Sequence, residues 1–125
     1  MGTITNIGKE TAARMIANVS PADPFIYMAT GTGSGAESTS DTALGTENTL
    51  YGAERAEATC SFTAPGTIQW QYLFSFSDNV TIRELGVFNA ATAGDMFLRI
   101  LLTNNKNYEE GFSALITITT TVTAV

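Results

Sequence analysis

An antiparallel β-sandwich of about six or seven strands with one N-terminal helix is the fold this sequence predicts, a mainly β class supported by three observations. From residue 55 onward apolar side chains recur at every second position, the period of a strand with one buried face. Twenty residues are threonine, about three times the ordinary share, and this β-branched side chain suits a pleated, half-wet surface. The chain has 125 residues, 44% apolar and only 14% charged, which suffices for one core and a single domain over residues 1–125. Disorder would need denser charge and lower hydrophobicity.

Residues 1–20 form the helical segment. Ile4, Ile7, Met15, Ile16 and Val19 fall near one face at 3.6 residues per turn, Thr5 or Asn6 can cap the start, and Pro21 with Pro24 enforces a stop. Residues 25–30 read as a short strand. An extended polar loop spans residues 31–50. Its first ten residues are rich in glycine and serine, and residues 41–47 read as one helical turn with Asp41 as cap and Leu44 pointing inward. Ala56, Ala58, Cys60 and Phe62 then alternate with Arg55, Glu57, Thr59 and Ser61, which makes Cys60 a small buried hydrophobe. Ile68, Trp70, Tyr72, Phe74 and Phe76 form the clearest strand. Residues 81–88 and 96–103 follow as strands, joined by a hairpin loop at Gly94, and residues 104–111 turn again. The last strand places Phe112, Ala114, Ile116, Ile118, Thr120 and Val122 on one face, with Leu115 and a run of threonines on the other.

Charge narrows the function. Twelve acids against six bases give a net charge of −6, which lacks the cationic surface that nucleic acid or an anionic membrane would require. No stretch of about 18 apolar residues spans a bilayer, and Met1 to Lys9 shows neither the basic nor the apolar region of a secretory signal. With no histidine, the common Ser-His-Asp and Cys-His machinery and the usual zinc ligand are missing. One cysteine makes neither an internal disulfide nor a metal cage. No cofactor and no metal are expected.

The residues with chemically capable side chains have simpler structural explanations. Gly31-Thr32-Gly33-Ser34-Gly35 follows a strand but lacks the lysine and the long following helix of a phosphate loop. Glu54 with Glu57 and Glu109 with Glu110 are paired carboxylates, yet glycosidic chemistry needs two such groups facing each other across a cleft. Glu84 stands among core-grade residues, and strand alternation places it on the side of Ile82 and Gly86. A structural ion pair with Arg55 or Arg99 accounts for it better than catalysis does. Trp70 and Tyr72 suit a sandwich core, or alternatively a platform for sugar rings. An enzyme is therefore not expected.

The order of segments carries a resemblance. Ile4-Thr5-Asn6-Ile7-Gly8 opens the helix, and a strand runs into Gly31-Thr32-Gly33. Asp41-Thr42-Ala43-Leu44, Glu47 and Arg55 come next, then Ile82-Arg83-Glu84-Leu85-Gly86-Val87-Phe88-Asn89-Ala90 and Met96-Phe97-Leu98-Arg99. This succession resembles small structural proteins of tailed-virus particles and is similar to the N-terminal attachment domain of phage tail-fibre proteins. The resemblance implies a non-enzymatic virion component, assembled in the host cytoplasm, whose partners are the major capsid protein or tail and collar proteins. The sequence ends at Val125, where a fibre anchor would continue into a shaft, and this favours a capsid decoration or cement subunit over a tail-fibre or collar adaptor. A carbohydrate-binding module is the alternative of another class. The expected contact residues are Ile4, Ile7, Gly31, Thr32, Gly33, Ser34 and Leu44. A homo-oligomer is expected as well, with the threonine-rich last strand free to meet a symmetry mate.

Overall fold

The structure, a computed structural model, describes residues 2–19 and 22–122. Its elements are β1 (Thr3–Ile4), α1 (Asn6–Ala17), β2 (Tyr27–Gly31), β3 (Ala56–Glu57), β4 (Thr59–Ala64), β5 (Thr67–Ser75), β6 (Val80–Phe88), β7 (Met96–Tyr108) and β8 (Ser113–Thr121). A five-stranded sheet has the order β1-β7-β6-β2-β3 and a three-stranded sheet the order β4-β5-β8. Every strand pair is antiparallel. The described residues are mainly β, with one helix and two sheets arranged as a sandwich.

The core lies between the sheets. Trp70, Phe74, Phe76, Ala114 and Ile118 of the smaller sheet meet Met28, Val80, Ile82, Leu85, Val87, Leu98 and Ile100 of the larger one. The period-two ladder of β5 is thus a core strand, and Trp70 is 2% exposed with its indole N–H donated to the Phe25 carbonyl at 2.7 Å. β8 follows its expected phase, with Ala114 and Ile118 buried and Leu115 outside, although Phe112 and Val122 at its two ends are exposed.

The helix departs from the expected face. Ile4 belongs to β1, paired with Leu98, and Thr5 is the N-cap whose hydroxyl accepts the Gly8 N–H at 2.9 Å. Asn18 in the left-handed conformation ends the helix, while Pro21 lies outside the described residues. Gly8 and Thr11 are the buried positions, whereas Ile16 is 88% exposed and Val19 is also exposed. The helix packs through small residues because it sits close against β7, where the Thr5 N–H bonds the Phe97 carbonyl.

Three further expectations change. Cys60 and Phe62 are exposed, because β4 is an edge strand without the larger sheet over it. β7 continues to Tyr108 where a turn at residue 104 was expected, pairing with the first part of β6 across a register break. That break lies between Ile82 and Glu84 and inverts the alternation. Ile82 packs in the main core, while Glu84 and Gly86 face the opposite side of the sheet.

Candidate functional site

Two arginines and four acids, Arg55, Arg99, Glu37, Asp41, Glu47 and Glu84, converge on the outer face of the larger sheet. Residues 32–50 cross this face instead of standing away from it as a free loop. The segment returns antiparallel to the end of β2, through a bridge from Gly31 to Glu47 and bonds from the Thr32 N–H to the Thr46 carbonyl and the Asn48 N–H to the Thr30 carbonyl, both 2.8 Å. Leu44 plugs a small second core with Ala29, Phe88 and Met96.

Glu84 pins the crossing. Its Oε2 accepts the Gly33 and Thr46 N–H groups, each at 2.8 Å, and its Oε1 accepts the Gly45 N–H at 2.8 Å and Arg99 Nε at 2.9 Å. Both lone pairs of both oxygens are thereby engaged. The side chain is fully buried, and burial alone would raise its pKa. The N–H groups of Thr46 and Gly45, Arg99 and the Gly33 N–H outweigh that penalty and hold the carboxyl below its ordinary value. Glycines at 31 and 33 make room, since a Cβ at either position would lie 2.5 Å from Glu84 Oε2.

Arg99 extends the clamp to the near half of the segment. Its terminal nitrogens donate to the carbonyls of Gly35 (2.8 Å) and Ala36 (3.2 Å) and to the Asp41 carboxylate (3.3 Å). Asp41 is therefore not the cap of a helical turn. Residues 41–47 are irregular because the Gly45 and Thr46 N–H groups serve Glu84 instead of a helix, and Asp41 also accepts the Ser38 N–H at 2.9 Å. Glu37 accepts the Leu101 N–H at 2.7 Å and the Thr3 hydroxyl at 2.6 Å, tying the segment to β1 and β7.

Arg55 holds the far half, and it does not reach Glu84. It makes a two-pronged pair with Glu47, Nε to Oε2 at 3.0 Å and NH2 to Oε1 at 2.8 Å. Its remaining nitrogen donates to the carbonyls of Ala90 (2.9 Å) and Ala93 (2.7 Å). The guanidinium lies 3.6 Å above the centre of the Phe88 ring. The roles of Glu37, Asp41 and Glu47 had no sequence signal, since no period or spacing links them to their partners.

Among the expected contact residues, Thr32 and Ser34 are exposed, Gly33 is half-buried, and Ile7 and Ile4 are half-buried at the start of the chain. Gly31 and Leu44 are buried beneath the crossing segment and so face inward, not toward a partner. A polar hollow of about 330 Å³ lies over Arg99, between Gly33 to Ala36 and Asp41 to Thr46. A larger apolar groove of about 820 Å³ opens between α1 and the smaller sheet, lined by Met15, Ile16, Phe25, Cys60, Ile68 and Val122 among others. Partial burial and then the charge of Glu57 push the Cys60 thiol up, away from the reactive thiolate. Among the described residues no group of three or more His, Cys, Asp or Glu side chains is placed to hold a metal ion, and no helix is long and apolar enough to cross a membrane.

Compared with known proteins, the sequence matches no protein-family profile, and no curated protein matches it significantly.

Proposed function

We propose that this chain is a non-enzymatic structural protein of a virus particle, a capsid decoration or cement subunit that binds the outside of the shell. One observation carries the reading. The segments that resemble virion proteins in their order are the parts of a single structural unit. The strand from Ile82 to Phe88 supplies Glu84; Gly31, Gly33, Asp41, Leu44, Glu47, Arg55 and Arg99 are the residues gathered around it or beside it. The unit presents the outer side of residues 32–50 as a stiff polar surface. A surface already ordered loses little conformational freedom on docking, and repetition over a symmetric particle turns modest contacts into firm attachment.

The same surface serves a tail-fibre or collar adaptor, which the resemblance to fibre attachment domains favours as the second reading. The carbohydrate-binding alternative needs a platform other than Trp70, which is buried. Cryo-electron microscopy of the intact particle tests the proposal. Density for this chain repeated over the capsid lattice, with residues 32–50 against the shell, is the expected result. Density confined to the neck or tail assigns the adaptor role. Absence from the particle, together with failure of the purified chain to co-sediment with it, overturns both readings.

A further inference from the structure

The open strand edges of this molecule are built differently. β4 has a register break between Phe62 and Ala64 and runs into Pro65, two devices by which monomeric proteins blunt an edge. β1 and β3 are two residues long. The far part of β7 carries Lys106 and a register break, and its Leu101 N–H is taken by Glu37. β8 has none of these defences. It is nine residues long, contains no proline and no charged residue, and pairs with β5 in unbroken register from Ser113 to Thr121.

Hydrogen-bond phase shows what this edge offers. The Phe76 N–H donates to the Phe112 carbonyl and the Val122 N–H to the Gly66 carbonyl, so the even-numbered positions bond toward β5. By the alternation of an antiparallel ladder, Ser113, Leu115, Thr117, Thr119 and Thr121 turn their N–H and C=O groups to the other side. Among the described residues no backbone group meets them there.

We infer that β8 is a homodimer edge, at which two copies pair β8 to β8 in antiparallel fashion about a dyad at Thr117. Thr117 then faces itself, Leu115 faces Thr119 and Ser113 faces Thr121, and each outward N–H meets an outward carbonyl in about ten bonds. The same register sets Phe112 of one copy, 58% exposed, beside Val122 of the other, 60% exposed, at both ends of the interface. Self-complementarity about this dyad selects a second copy as the occupant, and charge does not oppose it. Two chains of net charge −6 repel wherever their acids face each other. The outward surface beside this edge, with Gln69, Gln71, Leu73 and Ser75 next to the odd-numbered β8 residues, contains no charged side chain. Because the opposite edge β4 is blunted, the pairing closes at two copies and does not propagate as a fibre.

Sedimentation velocity of the full chain at micromolar concentration is the test. The expected species has twice the 13.3 kDa mass of one chain. Thr117→Pro removes the central outward N–H, a change an edge strand accepts without losing its fold, and is expected to give a monomer with the parent's circular dichroism spectrum. Thr119→Lys provides the same readout should the proline variant fail to fold. In a Cys60→Ser background, Thr117→Cys is expected to form a linked dimer on mild oxidation and Ser113→Cys is not. A monomeric parent chain, a dimer that survives both edge substitutions, or linkage through Ser113→Cys but not Thr117→Cys overturns the inference.

Discussion

On the inner face of the five-stranded sheet, Leu85 and Val87 of β6 and Leu98 and Ile100 of β7 meet the aromatic side chains of β5 through apolar contact. On the outer face the same two strands turn Glu84 and Arg99 toward residues 32–50, and directed hydrogen bonds hold that segment around the small apolar plug of Leu44. The inner face depends on volume, so it tolerates swaps between side chains of similar size. The outer face depends on donors and acceptors in fixed positions at low dielectric, where one missing partner leaves the others unsatisfied. A single sheet thus carries a forgiving layer and an unforgiving one. The unforgiving layer is the one that shapes the proposed docking surface.

Glu84→Gln should break this comparison most sharply. An amide puts a donor where Oε1 or Oε2 now accepts two bonds, and Arg99 loses the nearer of its two counter-charges and keeps only Asp41, for a loss of about 3 kcal/mol. Chemical denaturation measures the total, and hydrogen exchange should show the Gly33, Gly45 and Thr46 amides opening first. The double variant Glu84→Met with Arg99→Leu should not recover stability as paired-charge replacements often do, because three backbone N–H groups still lack an acceptor.

Leu85→Ala on the inner face is expected to cost about 3 kcal/mol by cavity formation. Here all probes should move together, with no early opening of residues 32–50. Gly33→Ala places a methyl against Glu84 and should cost about 1–3 kcal/mol, again with local opening ahead of global unfolding.

Acid should weaken the outer face through Glu84, and it is the mildest perturbation. Glu84 has a lower pKa folded than its ordinary 4.5, so the unfolded chain takes up the proton first. The stability it contributes is complete above about pH 5.5 and is lost as pH falls through 4.5 toward the folded value. Thermal melts from pH 7 to pH 3 should show this decline in the parent chain and a shallower one in Glu84→Gln.

Much of the sandwich was legible because its signal is local. Alternation over Ile68 to Phe76 and Ala114 to Ile118 reports a buried face regardless of what covers it. The same logic failed at Cys60 and Phe62, where alternation was present and the covering layer was not. It failed at Ile82 and Glu84 because one phase was carried through a register break, although the shift of apolar positions from Val80 and Ile82 to Leu85 and Val87 records that break. Ile16 and Val19 misled for a similar reason, since a helix that packs on Gly8 and Thr11 buries no apolar stripe.

By itself, the sequence determined that this chain is a β domain with one helix, that β5 and β8 have an inward face, and that Glu84 sits in a strand too apolar for a solvated acid. Only the tertiary structure decided which arginine meets that acid, that Arg55 turns to Glu47 instead, and that residues 32–50 lie flat on the sheet. The reason is separation along the chain. The bonds that make the clamp join residues 15 to 64 positions apart, and no local preference or period encodes a contact of that span.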